Sequence, residues 1–268
     1  MNLQDKKLWI FDVDNTLIID VEHPTPFEDA MMLWNALMKK GYELAVLTNV
    51  GRLSSRQVNN ALSQAGFNIS PERVFTASAA AAAYIQNRSP GARCFVIGEG
   101  GAQEDFVTRG LDVSNNPPID FVAVGADRGM TFEELNFAVK MVKAGASLIC
   151  ISGSRDYPGV YLGNEDTFIG ERSIVVAIEH ATGVEAIVIG KPLPEILIET
   201  VKALGHEVSD AVMIGDNPQS DIAGGNAAGM TTVLITRNPD DIVSFEAGEL
   251  DTTPDLTVDA LDELISKI

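Results

Sequence analysis

The sequence predicts an α/β fold built on a parallel sheet. Short apolar runs of strand length alternate with amphipathic segments of helix length along nearly the whole chain. A β-α-β-α order demands right-handed crossovers, which set the strands parallel and lay helices on both faces of the sheet. Size agrees with this. A chain of 268 residues corresponds to between one and two domains and buries roughly three-quarters of its unfolded surface without a metal or disulfide staple.

The elements follow in order. Leu8–Phe11 reads as a buried strand. Thr25-Pro26-Phe27-Glu28 reads as a helix start, with Thr25 as N-cap, Pro26 in the first position and Glu28 closing a capping box. That helix carries Met31, Leu33, Trp34 and Leu37, and Gly41 ends it. Leu44–Leu47 is the next strand, and Ser54 or Ser55 opens a helix that Gly66 stops. Ser78 opens a helix through the alanine run, and Phe95–Ile97 and Phe121–Val124 are strands. Thr131 and Glu134 form a second capping box, for a helix ending at Gly145. Leu148–Ile151 is a strand, and 152–170, rich in Gly, Asp and aromatic residues, reads as irregular. A helix over Arg172–Ala181 ends at Gly183; strands follow at Ala186–Ile189, Val212–Ile214 and Val233–Ile235. Helices are expected at Pro194–Leu204 and Gln219–Ala228, and Asp259 is expected to cap the last one.

Composition excludes several functions. Lys plus Arg is 19 and Asp plus Glu is 38, a net charge of −19. A nucleic-acid binder would show a basic face, and an anionic lipid surface would repel such a chain. An anionic substrate would need a local cation or metal to overcome the global field. Cys94 and Cys150 each lie in an apolar run and read as buried small hydrophobes. No apolar stretch approaches the length of a membrane span, and no signal peptide is legible, so a cytoplasmic location is expected. His23, His180 and His206 lack metal-ligand spacing.

Four strand exits carry polar chemistry. The first strand delivers Asp12-Val13-Asp14-Asn15-Thr16-Leu17. Two carboxylates at i and i+2 repel each other unless a cation lies between them, although turn acids read the same way. Leu47-Thr48-Asn49 is alone ordinary turn chemistry. Gly190-Lys191-Pro192 places a lysine directly after an apolar strand, where a solvated loop lysine is the plain alternative. Gly215-Asp216 with Asp221 adds two more acids, which a helix N-terminus would also favour. In an open α/β sheet, ligands bind at the carboxyl ends of strands.

Taken together, Asp-x-Asp, Thr, Lys and Gly-Asp-x₄-Asp in this order resemble the haloacid dehalogenase-like (HAD) superfamily of Asp-nucleophile phosphohydrolases, over Leu8 to Asp221. The short interval before Thr48, the long αβ segment between Thr48 and Lys191, and Val74-Phe75-Thr76-Ala77-Ser78 and Ala181-Thr182-Gly183 resemble the p-nitrophenyl-phosphatase/NagD-like branch. The resemblance implies a Rossmann-like parallel-sheet core made of residues 1–78 and 186–268, with a smaller α/β cap domain inserted over 79–185.

It also implies roles. Asp12 is the nucleophile that forms an aspartyl-phosphate, and Asp14 the general acid and then base. Mg²⁺ takes the carboxylates of Asp12 and Asp216 and the carbonyl of Asp14, with Asp221 an occasional ligand or a partner for Lys191. Thr48 and Asn49 hold phosphate oxygens, and Lys191 offsets charge. The substrate is a small phosphate monoester: p-nitrophenyl phosphate in assay, and a nucleoside monophosphate, sugar phosphate, phosphoglycolate or pyridoxal phosphate in the cell. Pairing of two copies through their caps is a further expectation from the resemblance.

The chain also departs from the family pattern. Asn15 stands where the family has Gly, and Asn tolerates a left-handed backbone. Arg52 follows Thr48-Asn49 and is a candidate phosphate or substrate contact. Where the branch carries Thr-Asn-Pro-Asp, this chain has Ser152-Gly153-Ser154-Arg155-Asp156. The loop onward through Tyr157, Tyr161 and Phe168 is a candidate substrate-reading surface, Arg155 for an anionic group and Tyr157 for stacking, with an ordinary connecting loop the plain alternative. A phosphotransferase using the same intermediate, a ligand-binding protein without turnover and a receiver-type signalling domain are the rival readings. Receivers are compact and capless, with the phosphorylated Asp separate from the acid pair.

Overall fold

The computed structural model describes residues 3–161, 164–237 and 250–268. The larger of its sheets has six parallel strands: β1 (Leu8–Phe11), β2 (Glu43–Thr48), β3 (Val74–Thr76), β11 (Ala211–Gly215), β12 (Thr231–Ile235) and β13 (Leu256–Val258). Their order is β13-β12-β11-β1-β2-β3. The chain therefore leaves β1 in one direction for β2 and β3 and later returns on its other side with β11. That makes the β1/β11 junction a topological switch point.

Every residue of β1 is buried because both faces of the sheet are covered. Trp9 and Phe11 pack on one face with Leu33, Trp34 and Leu37 of α1 (Glu28–Lys40). Leu8 and Ile10 pack on the other with Ile196, Leu197 and Val201 of α7 (Pro194–Ala203). Truncating one such side chain, Leu37→Ala for instance, costs about 2–5 kcal/mol.

A second sheet, of five parallel strands, has the order β10-β7-β6-β4-β5. Its strands are β4 (Arg93–Ile97), β5 (Asp112–Val113), β6 (Phe121–Val124), β7 (Ser147–Cys150) and β10 (Ile187–Val188). Alternate residues again feed two cores. Cys94 and Val96 meet α3 (Ala77–Arg88) and α4 (Gly101–Thr108). Phe95 and Ile97 meet α5 (Phe132–Lys143) and α6 (Glu171–Thr182). Both cysteines are free and buried, as expected. The strand read at 186–189 joins β7 in this smaller sheet, and the chain re-enters the larger one only at β11. No helix among the described residues is long and apolar enough to cross a membrane.

Three local expectations need correction. Thr25 does not cap α1. Residues 25–27 are drawn into strand-like pairing with 17–19, where Phe27 N–H donates to the Leu17 carbonyl and Ile19 N–H to that of Thr25. The helix therefore starts only at Glu28, with Phe27 as a non-bonding cap. Asp259 does not cap the last helix, a 3₁₀ turn over Leu261–Lys267. Its carboxylate accepts from Thr236 Oγ1 at 2.6 Å, while Asp29 accepts from the N–H of Leu261 at 2.7 Å. The stretch 152–170 is not irregular. It holds an antiparallel hairpin, β8 (Asp156–Tyr161) with β9 (Asn164–Ile169), in which Tyr157 faces Phe168 and their rings stack at 5.5 Å. Glycine and acidic residues masked its two-residue alternation. The side chain of Tyr161 lies outside the described residues.

Candidate active site

Three neighbouring strands of the larger sheet deliver the site. β1 ends at Phe11, just before Asp12, β11 ends at Gly215, just before Asp216, and β2 ends at Thr48. Asp12, Thr48 and Asp216 line one cavity of about 190 Å³ together with Asp14, Asn49 and Lys191.

Lys191 is its central cation. The side chain is 1% exposed, and its Nζ donates to Asp12 Oδ1 at 2.7 Å, Asp221 Oδ1 at 2.6 Å and the Leu47 carbonyl at 2.9 Å. Burial pulls this ammonium toward neutrality, but the two carboxylates more than offset that, and it is held above its usual range.

The neighbouring glycines make the arrangement possible. The Asn49 side chain accepts from Lys191 N–H at 2.8 Å and donates to the Lys191 carbonyl at 2.9 Å, clamping the lysine backbone. A Cβ at Gly190 would lie 2.6 Å from Asn49 Oδ1, so the clamp requires glycine there. A Cβ at Gly215 would lie 2.1 Å from Asp221 Oδ2, so the glycine before Asp216 is what lets Asp221 fold back beneath the strand. Oδ2 of Asp221 then accepts from the N–H of Asn217 at 3.1 Å.

Asp12, Asp216 and Asp221 each bring a carboxylate oxygen within 4.8 Å of the others. Burial pushes Asp12 up to about 7, with Lys191 opposing and Asp221 and Asp14 adding. Burial raises Asp216 well above the ordinary carboxylate range, and Asp12 and Asp221 raise it further. Such a set of close, desolvated carboxylates suits a hard divalent cation with oxygen ligands. Asp221 already spends one oxygen on Lys191 and the other on Asn217, whereas Asp12 keeps an oxygen free of Lys191.

Asp14 stands two residues on. Its Oδ1 accepts from Val21 N–H at 2.9 Å, which folds the 14–21 loop over the site. Burial pushes it up to about 6, opposed chiefly by Arg52. Asn15 takes a left-handed backbone, φ 53°, as its place in the turn demands. Thr48 Oγ1 accepts from Val50 N–H at 3.1 Å, which leaves its own proton to give.

The remaining expected residues divide. Arg52 lines the cavity, but its guanidinium lies 3.1 Å from Glu22 and 3.7 Å from Glu99. Arg155 is exposed and outside the lining. The chain bends there, and its carbonyl is pinned by Gly170 N–H at 2.8 Å and Ser173 Oγ at 2.7 Å, which turns the side chain outward. Tyr157 does line the cavity. Ser152 and Ser154 of the same segment also line it, and Glu171 is a lining residue that sequence reasoning missed. Glu171 follows a glycine at a helix start, where an acid reads simply as a favourable helix N-terminal charge.

A buried lysine bridging two carboxylates at the switch point of a parallel sheet, beside a second strand-end acid, is the arrangement expected of a haloacid dehalogenase-like hydrolase. Comparison with known proteins agrees. A haloacid dehalogenase-like hydrolase family model matches residues 9–112, and a HAD-hydrolase-like model matches 188–264. The acid sugar phosphatase of Staphylococcus aureus is 30% identical over 234 residues, 87% of each chain. The p-nitrophenyl phosphatase of Archaeoglobus fulgidus superposes with a TM-score of 0.87 at 26% identity, covering 98% of this chain and 100% of that one. The 4-nitrophenylphosphatase of Thermotoga maritima gives 0.85 at 25% identity, covering 98% of each. The chain belongs to the haloacid dehalogenase-like hydrolase family. The expectations of this family and of a phosphoric monoester hydrolase both hold.

Proposed function

We propose that the chain hydrolyses a small phosphate monoester through an aspartyl-phosphate on Asp12, with Mg²⁺ as the cofactor. One observation carries this reading: Lys191 lies 2.7 Å from Oδ1 of Asp12, a residue that lines the cavity, and leaves its other carboxylate oxygen free of that lysine. The relatives named above supply the substrate class.

The free oxygen of Asp12 attacks phosphorus in line, and the bond from phosphorus to the leaving oxygen breaks. Asp14 gives its proton to that oxygen, then takes one from the water that attacks the aspartyl-phosphate. A carboxyl held up at about 6 is suited to both transfers near neutral pH. Lys191 offsets negative charge on Asp12 and the phosphoryl group, and the Thr48 hydroxyl donates to a phosphoryl oxygen. Asn49 spends its side chain on Lys191, so its main-chain N–H is the part that serves phosphate. The carboxylates of Asp12 and Asp216 and the carbonyl of Asp14 would hold the Mg²⁺, with Asp221 bracing Lys191. When bound, the ion supplies charge neutralisation that a dianionic ester needs beside carboxylates. Residues between β3 and Lys191 act as the cap that walls the site.

The test is phosphate release from a panel of phosphate esters by the wild type and Asp12→Asn, with and without Mg²⁺. Release that needs Mg²⁺ and disappears in Asp12→Asn supports the reading. No release from any ester would favour binding without turnover.

A further inference from the structure

The cavity lining contains a buried carboxylate that the reaction does not use. Glu171, at the start of α6, is 3% exposed and lines the cavity. It rests on the phosphate-side loop: a Cβ at Gly51 would lie 2.7 Å from Glu171 Oε1. Its oxygens accept from the Ser154 hydroxyl and from the main-chain N–H groups of Glu171 and Ala126. Ser154 in turn accepts from Ser152 at 3.2 Å, so the hydroxyl protons of this chain run toward the carboxylate. Burial raises the Glu171 carboxyl above the ordinary carboxylate range, and these donors, with Arg52, oppose that rise and favour the ionised form. A carboxylate has about four acceptor sites, so these three donors do not exhaust it.

The charges around Glu171 matter as much as its contacts. The cavity lining carries five carboxyl groups, Asp12, Asp14, Asp20, Asp216 and Glu171, against two cations, Lys191 and Arg52. Lys191 is spent on Asp12 and Asp221. Arg52 meets Glu22 and Glu99 through Nη1, these two glutamates are also bound by Arg128, at 2.9 and 2.6 Å, and the charge of Arg52 still reaches Asp14 and Glu171. The reactive phosphoryl group has Lys191 and the metal-binding carboxylates on its side. A second anion on the leaving group would meet Glu171 in a lining whose five carboxyl groups outnumber its two cations.

We propose that Glu171 sets specificity, admitting esters whose leaving group donates hydrogen bonds and rejecting those that carry a second negative charge. The inference rests on the hydrolase reading above and narrows its substrate class. Neutral hydroxyls and ammonium groups are accepted, and carboxylated esters such as phosphoglycolate are excluded.

Three small esters of nearly one size test it: 2-hydroxyethyl phosphate, 2-aminoethyl phosphate and phosphoglycolate, with p-nitrophenyl phosphate as reference. In the wild type at pH 7.5, kcat/KM for the hydroxyl and amino esters should exceed that for phosphoglycolate by about 100-fold, the scale of like-charge exclusion in a desolvated site. Glu171→Gln keeps the shape and removes the charge, and should narrow that ratio at least tenfold. Arg155→Ala, outside the cavity, should leave the ratio at its wild-type value. A wild type that hydrolyses phosphoglycolate as readily as the hydroxyethyl ester overturns the proposal, whatever the variant does. So does a folded Glu171→Gln with the wild-type ratio. Absence of release from all esters, p-nitrophenyl phosphate included, would remove the hydrolase reading and this inference with it.

Discussion

The ammonium of Lys191 lies 2.6 Å from the carboxylate of Asp221, and neither side chain is more than 1% exposed. The same ammonium holds Asp12 at 2.7 Å. Removing it would leave two carboxylates buried without compensation. Breaking a buried pair from one side costs about 3–5 kcal/mol. Lys191→Met should therefore lower the unfolding free energy by that much, read as a lower urea midpoint, as well as abolish turnover. An unchanged midpoint would show that the lysine serves chemistry alone.

Asp216 is predicted to lower the stability of the metal-free protein. Its folded pKa is raised by burial and by its two carboxylate neighbours. A raised pKa contributes stability that is fully present below the unfolded value, about 3.9, and is lost as pH rises through the folded value. Metal-free wild type should thus weaken as pH climbs from 4 toward neutrality. Asp216→Asn should raise the metal-free Tm at pH 7.5 by about 2–4 °C. Mg²⁺ should then stabilise the wild type and not the variant. Thermal melts with and without the ion read all of this, and a variant that melts lower without metal would contradict the assignment.

The leaving group should determine how far Asp14 matters. An alkoxide needs its proton, whereas p-nitrophenolate leaves without one. With Asp14 pushed up to about 6, its protonated fraction falls as pH rises through that value. kcat/KM for an alkyl phosphate should decline over the same range, with a weaker decline for p-nitrophenyl phosphate. Asp14→Asn should cost the alkyl ester about 10²–10⁴-fold and the nitrophenyl ester less. Parallel losses for both would assign the proton to another group.

Gly215 and Asn49 hold the charges in place without touching substrate through their side chains. Gly215→Ala forces a Cβ to within 2.1 Å of Asp221, which must move off Lys191. Asn49→Ala withdraws both hydrogen bonds to the Lys191 backbone, each worth about 0.5–1.5 kcal/mol. The first variant should lose more than 2 kcal/mol and nearly all activity, and the second about 1–3 kcal/mol. Equal stability of Gly215→Ala and wild type in denaturant would refute the packing described.

What the sequence revealed and what it hid follow from range. β1, β2 and β11 were legible because each is an uninterrupted apolar run, and Asp12, Thr48 and Asp216 are their immediate exits. Lys191 was legible from its Gly-Lys-Pro setting, and its partnership with Asp221 was expected from resemblance. The hairpin at 156–169 was not legible, since its alternation is diluted by glycine and acids. Glu171 was hidden because its meaning depends on Gly51, distant in sequence and in contact only after folding. Arg155 was misjudged for the converse reason. Its residue type suited an anion, but the bend that turns it outward is fixed by Gly170 and Ser173.

The central claim is that Asp12 is transiently phosphorylated, and borohydride trapping tests it most directly. Reduction of an acid-quenched reaction converts an aspartyl-phosphate to homoserine, which peptide mass spectrometry locates. The account predicts homoserine at position 12 when ester and Mg²⁺ are both present, and none when either is left out. Steady phosphate release with Asp12 unmodified at every time of quenching would contradict it.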